Sequence, residues 1–299
     1  MYIDSAFLES IPRFFTPVLL AAIGSALCER SGVFNIALEG MMLIGAFAAV
    51  VGCVVTGTWT GGLLFALIAG SLSGVCFAYF GVYRGGDDII VSIGFNVLAV
   101  GLTAYLLRMI FDVQGQFDSP MIVPIPNVDL GFAQGLPIVG PLISSQSILV
   151  WLSIVLVFFV HFGLRKHRHG LRLRAAGENP QALRTVGISP ERLRTTALVA
   201  CGMLCALGGA QLFISNVTLF TEGMSAGRGW IALVIMMMCG ARLLVILPVV
   251  ILFGLIDAAG FRIQGLGMPQ QITDVLPYLI AIVVLMIVFS RRASRGTKR

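Results

Sequence analysis

The stretch SGVFNIALEG, residues 31–40, sets an asparagine, Asn35, and a carboxylate, Glu39, between two apolar segments. Four residues apart, they share a face if the chain is helical there. An amide side chain donates and accepts hydrogen bonds, whereas an ionised carboxylate only accepts. A charge at the centre of a bilayer is expensive, so Glu39 must face protein, water or the aqueous boundary. Two arrangements satisfy this. In one, Gly32 and Gly40 permit a broken backbone, and Asn35 and Glu39 line a permeation pathway. In the other, the stretch is an interfacial turn, with Glu29, Arg30 and Ser31 at the cytoplasmic edge and the two polar residues just inside it. A second pair, Ser92 and Asn96 in SIGFNVLAV, repeats the spacing. It either lines a polar route for a hydroxylated or amide-bearing solute or bonds one helix to another.

Other chemistry is poorly served. The three histidines, His161, His167 and His169, are interleaved with Arg and Lys, and cation repulsion argues for a solvated basic loop over a metal site. The six cysteines include no C-x-x-C pair; Cys201 and Cys205 share a helix face but lack the further ligands of a closed zinc site. They read as small buried hydrophobes. No H-E-x-x-H and no facing pair of intramembrane aspartates suggests a membrane enzyme. No G-x-x-x-x-G-K-[ST] sequence occurs, so if transport is driven by ATP the nucleotide site belongs to another subunit. The expected count of catalytic residues, metals and cofactors in this chain is none.

The elements that must position these residues are membrane helices. The chain is 58% hydrophobic and 11% charged, against about 25% charged in soluble domains, and its mean hydropathy is +0.96. Segments 11–28, 41–57, 61–82, 89–111, 146–164, 193–214, 243–261 and 274–290 approach the roughly 20 residues a crossing requires. Residues 229–240 are short for a span and read as a tilted span, a half-helix or a re-entrant piece. The expectation is an all-α, polytopic helical bundle forming one transmembrane domain, 1–299, with about eight to ten crossings. The start is a poor signal peptide, with Asp4 and Glu9 where basic residues belong, so the first helix is retained.

Charge orients the bundle. Residues 165–194 hold eight Lys/Arg and the tail 291–299 holds five, whereas the 112–145 loop holds none. The positive-inside rule places 165–192 and the C-terminus in the cytoplasm and 112–145 outside. The net charge of +6 is explained by cytoplasmic loops near anionic lipid and calls for no nucleic-acid partner. Gly70-x-x-x-Gly74 and Gly202-x-x-x-Ala206 are small-residue patterns that permit close helix contact.

Within the basic loop, Asn179 suits an N-cap, Pro180 the first helical position and Gly187 the C-terminal stop, bracketing a helix over 180–186. Ser189, Pro190 and Glu191 start the next helix in the same manner. The short helix, with Leu183 and Val186 as its apolar face, is either a docking element or a plain connector.

LRLRAAGENPQALRTVGI, 171–188, resembles the cytoplasmic coupling loop of ABC-transporter permeases of the branched-chain amino acid/simple sugar importer family. ERSGVFNIALEGMMLIGAFAAV, 29–50, resembles the N-terminal signature of that family. DDIIVSIGFNVLAVGLTAYL and GRGWIALVIMMMCG, at 87–106 and 227–240, fit the shorter of the two paired permeases of nucleoside and simple-sugar importers. One departure is GARLLVILPVV after Gly240, where the family has a W-N-P-like turn. The resemblance implies that Gly177, Glu178, Asn179, Pro180, Leu183 and Gly187 couple the chain to a cytoplasmic ATP-binding cassette subunit, which binds the ATP. It further implies a second, homologous permease, a periplasmic or lipid-anchored solute-binding protein, and residence in the bacterial inner membrane. A secondary carrier or channel has similar hydropathy but usually carries buried coupling-ion carboxylates or an inverted repeat; a branched-chain amino acid permease is the other alternative.

Overall fold

The computed structural model describes residues 5–118, 122–128 and 146–264. Seven helices among them are long and apolar enough to cross a membrane. They are α1 (Ser5–Ser31), α2 (Leu38–Thr56), α3 (Trp59–Ala78), α4 (Asp88–Phe111), α5 (Ile148–Lys166), α8 (Pro190–Ala210) and α10 (Leu243–Gln264). Three shorter helices intervene: α6 (Arg168–Glu178), α7 (Pro180–Thr185) and α9 (Arg228–Cys239). Helices α3 and α8 run on into wider turns at Tyr79–Tyr83 and Gln211–Val217. Seven of the eight expected spans are therefore helices; the eighth, 274–290, and the tail 291–299 lie outside the described residues, as does most of the 112–145 loop. Two short antiparallel pairs, β1 (Gln116–Phe117) with β4 (Phe220–Thr221) and β2 (Asn127–Val128) with β3 (Gln146–Ser147), tie the loops at the end remote from the basic residues.

Helices α1, α2 and α8 form the centre. Their apolar windows are 89%, 72% and 83% buried, against 22% for α4 and 28% for α5. In hydrocarbon, close backbone approach takes the place of the hydrophobic drive, and small residues allow it. A Cβ built on Gly45 of α2 would lie 2.2 Å from the Ala206 Cα of α8, and one on Gly70 of α3 would lie 2.4 Å from the Gly202 carbonyl. Both small-residue patterns seen in the sequence thus sit at one interface, α3 on α8.

The basic region differs from a loop with one short helix. Residues 168–178 form α6, which buries Gly170, Leu173 and Ala176 at three-residue spacing and packs on α5, α1 and α8. Charge masks this face in the sequence, because only three apolar or small positions carry it. Helix α7 forms nearly as expected. The Asn179 Oδ1 accepts from the Ala182 N–H at 3.1 Å, and Pro180 opens the helix. Gly187, at φ +76°, closes it, with Gly187 N–H donating to the Arg184 carbonyl and Ile188 N–H to the Leu183 carbonyl. At the next helix start, Ser189 makes no side-chain cap bond, and the Glu191 carboxylate pairs with Arg184.

Candidate functional site

Residues 32–37 between α1 and α2 are not helical. Asn35 therefore lies in a break and Glu39 in the first turn of α2, so the expected shared helix face does not exist. A break inside the bundle exposes backbone groups that need partners. Helix α4 supplies them from one row of side chains. The Asp88 Oδ2 accepts from Phe34 N–H at 3.0 Å, the Ser92 Oγ from Ile36 N–H at 3.0 Å and the Asn96 Oδ1 from Gly40 N–H at 2.8 Å. The Asn96 Nδ2 also donates to the Ile36 carbonyl at 3.2 Å. The match is metric: four helical residues rise about 6 Å and two extended residues about 6.6 Å. Ser92 and Asn96 thus bond to the backbone of the break and of the first turn of α2. Asp88 heads this row, while Asp87 is the N-cap of α4, accepting from the Ile89 and Ile90 N–H groups.

Asn35 is buried. Its Oδ1 accepts from Ala37 N–H at 2.8 Å, and its Nδ2 points to the Cys201 sulfur at 3.4 Å and the Met41 sulfur at 3.7 Å. All six cysteines are free, and among the described residues no group of three His, Cys, Asp or Glu could hold a metal.

Glu39 reaches the N-terminus of α9. Its Oε1 accepts from Gly227 N–H at 2.8 Å and its Oε2 from Gly229 N–H at 2.7 Å. Helix α9 has 12 residues, about 18 Å, against a hydrocarbon core of about 30 Å. Its C-terminal turn, Gly240–Ala241, is held at the basic end by Arg30, whose guanidinium donates to both carbonyls. Its N-terminus therefore ends inside the bundle, which makes α9 a half-helix. Orphan N–H groups and the positive end of the helix dipole are both met by the Glu39 carboxylate. Gly229 makes the approach possible, since a Cβ there would lie 2.5 Å from the Glu39 nitrogen. Gly40 has a different role from the one expected. It is helical, and its bare Cα admits α4, with a built Cβ only 2.9 Å from both Asn96 Oδ1 and Ala99 Cβ.

Beside the start of α9 is a cavity of about 320 Å³ lined by Ser10, Arg13, Phe14, Leu212, Met224, Arg228 and Phe261. The Phe14 and Phe261 rings lie 5.9 Å apart. The Arg228 Nε is buried without a hydrogen-bond partner. None of the four residues expected on the pathway lines this cavity. The signal for it was present in the sequence: Arg13 and Arg228 are cations at the edge of apolar segments, and charge within a membrane bundle is a mark of function.

At the basic end, the backbone of α6 touches the break directly. A Cβ on Gly177 would lie 2.6 Å from the Arg30 carbonyl, and one on Gly32, at φ +80°, would lie 2.9 Å from the Gly177 Cα. Arg194 clasps both sides, donating to the Ser31 and Ala176 carbonyls. Leu183 of α7 turns inward and is buried, whereas Val186, just past its end, is 67% exposed. The Glu178 side chain is exposed and pairs loosely with Arg174 at 3.6 Å.

Comparison with known proteins gives a consistent picture. The family described as "Branched-chain amino acid transport system / permease component" matches residues 7–285. The nucleoside ABC transporter permease protein NupC of Lactococcus lactis is 31% identical over 91% of this chain and 88% of its own length. The guanosine ABC transporter permease protein NupQ of Bacillus subtilis is 30% identical over 91% and 88%. The putative glucose ABC transporter permease protein TsgC13 of Haloferax volcanii is 28% identical over 95% and 92%. No solved structure matches the chain.

Proposed function

The chain belongs to the permease component family of branched-chain amino acid transport systems, and we propose that it is one of two paired permeases of an ABC importer for a nucleoside or simple sugar. The names of the relatives support the solute class. A cytoplasmic ATP-binding cassette subunit binds and hydrolyses ATP, and a periplasmic or lipid-anchored binding protein delivers the solute. The chain resides in the bacterial inner membrane with 165–192 and the basic tail in the cytoplasm and 112–145 outside.

The observation that carries the mechanism is the half-helix α9, held at one end by Glu39 and at the other by Arg30. Interrupted helices at mid-depth are how transporters present polar groups to a solute without exposing backbone to lipid. In this chain the solute meets the cavity at the start of α9. Phe14 and Phe261 offer an aromatic wall to a base or a sugar face, and the partnerless Arg228 Nε offers a donor to a solute oxygen. Asn35, Glu39, Ser92 and Asn96 serve the pathway from behind, by fixing the 32–40 segment and the start of α9.

Coupling runs the other way along the same contacts. The ATPase subunit engages the 177–187 region, with Glu178, Asn179, Pro180 and Gly187 shaping the α6–α7 corner and Val186 at its surface. Displacement of that corner moves Gly177 against Gly32, the broken segment follows, and Glu39 carries the shift to α9. The deciding experiment is purification of the tagged chain from its native host in mild detergent, with mass spectrometry of the co-purifying proteins and ATPase and uptake assays after reconstitution. A P-loop ATPase and a second permease are expected, with nucleoside- or sugar-dependent uptake. A chain that transports alone is a secondary carrier, and α7 is then a connector.

A further inference from the structure

We propose that the basic end of the bundle holds an anionic phospholipid, its phosphate seated in a cavity between the ends of α1, α5 and α6 and the start of α10. The cavity is about 370 Å³, and four arginines line it: Arg30 of α1, Arg165 of α5, Arg174 of α6 and Arg242 of the turn before α10. No carboxylate lines it among the described residues. Like charges gathered in a concave, partly apolar site repel one another more strongly than on an open surface, and a bound anion removes that cost.

The four cations are differently engaged. Arg30 is committed to the carbonyls that end α9. Arg174 touches Glu178 only at 3.6 Å, and its Nε is buried with no hydrogen-bond partner. Arg165 and Arg242 are exposed and make no salt bridge among the described residues. Guanidinium donors in a fork suit phosphate oxygens, and several around one anion give a site rather than a diffuse field.

Apolar structure favours a lipid over free phosphate as the source of that anion. The cavity wall is Leu164, Leu243, Leu244 and Val245. From it an exposed apolar strip continues along α10 through Leu244, Ile251, Leu252 and Leu255, on one helical face. A headgroup in the cavity would thus lay an acyl chain along that strip. The basic last turn of α5, Arg165 and Lys166, and the arginines of α6 place the cavity at the depth where anionic headgroups lie. The turn that supplies Arg242 is also the one that departs from the family pattern. Nothing in this assignment depends on which solute is carried.

The test is native mass spectrometry of the full-length chain in detergent, titrated separately with phosphatidylglycerol, phosphatidylcholine and inorganic phosphate. One phosphatidylglycerol should survive washing that removes phosphatidylcholine. Arg165→Gln with Arg242→Gln should weaken that retention about thirtyfold, at about 1 kcal/mol for each basic residue, and Arg165→Lys with Arg242→Lys should largely keep it. Equal retention of the two lipids by the unmodified chain overturns the site without recourse to variants. Unchanged phosphatidylglycerol retention in the Gln variant overturns it as well. Inorganic phosphate that binds as well as the lipid and displaces it at equal concentration assigns the cavity to a free anion instead.

Discussion

The carboxylate of Glu39 and the backbone N–H of Gly229 meet at 2.7 Å although 190 residues separate them in the chain. This contact joins the start of α2 to the start of α9 and so determines where the half-helix begins. In Glu39→Gln the amide keeps one acceptor oxygen and turns a donor toward the other N–H. The helix loses a hydrogen bond and its compensating charge, at a cost of roughly 1–3 kcal/mol. Thermal unfolding in detergent should register the loss, and solute uptake should fall further than assembly of the complex does. Uptake that tracks assembly alone would leave Glu39 a purely structural residue.

The α4 row makes a separate prediction. Ser92→Ala removes the acceptor of the Ile36 N–H, and Asn96→Leu removes the partners of the Gly40 N–H and the Ile36 carbonyl. Each leaves buried backbone groups unpaired, at roughly 1–3 kcal/mol. Both act on Ile36, so the double variant should depart from additivity. A double-mutant cycle on unfolding free energies measures the coupling; strict additivity would mean the break is held elsewhere.

Close helix contact should be brittle where glycines meet and tolerant where they do not. Gly45→Val and Gly209→Val drive side chains into α8 and α2, where even a built Cβ lies 2.2 Å from Ala206 Cα or 1.9 Å from the Met42 carbonyl. Monodisperse protein should be lost in size-exclusion chromatography. Gly94→Ala and Gly101→Ala, with nothing within 4 Å, should leave the elution profile intact and shift stability by no more than about 1 kcal/mol.

The α7 corner is testable through coupling. Asn179→Ala should cost about 1 kcal/mol through loss of the cap, and Gly187→Val should strain a residue at φ +76° by a further 1 kcal/mol or so. Glu178→Gln alters an exposed side chain without touching the bundle core. In each case solute-stimulated ATP hydrolysis by the assembled complex should fall severalfold while its helical content is unchanged. Stimulation equal to that of the unmodified complex would remove the docking role.

Much of this protein is legible in the sequence because its solvent constrains it. Hydrocarbon requires a spanning segment to satisfy its own backbone, so apolar length alone located α1–α5, α8 and α10 within a few residues. Local chemistry did the same for α7, whose Asn179, Pro180 and Gly187 act within one turn of their own positions. The amphipathic α6 was hidden because its buried face consists of only Gly170, Leu173 and Ala176 among basic residues. What tertiary structure alone decided is where the polar residues aim. Asn35 and Glu39, spaced for one helix face, separate because the chain breaks between Gly32 and Ala37 and α4 pays the hydrogen bonds of the break. Glu39 then finds α9, and Gly177 finds Gly32, across distances in sequence at which no spacing rule applies. Hydrogen-bond demand is local, but its satisfaction depends on which helices the close-packed glycines allow to become neighbours.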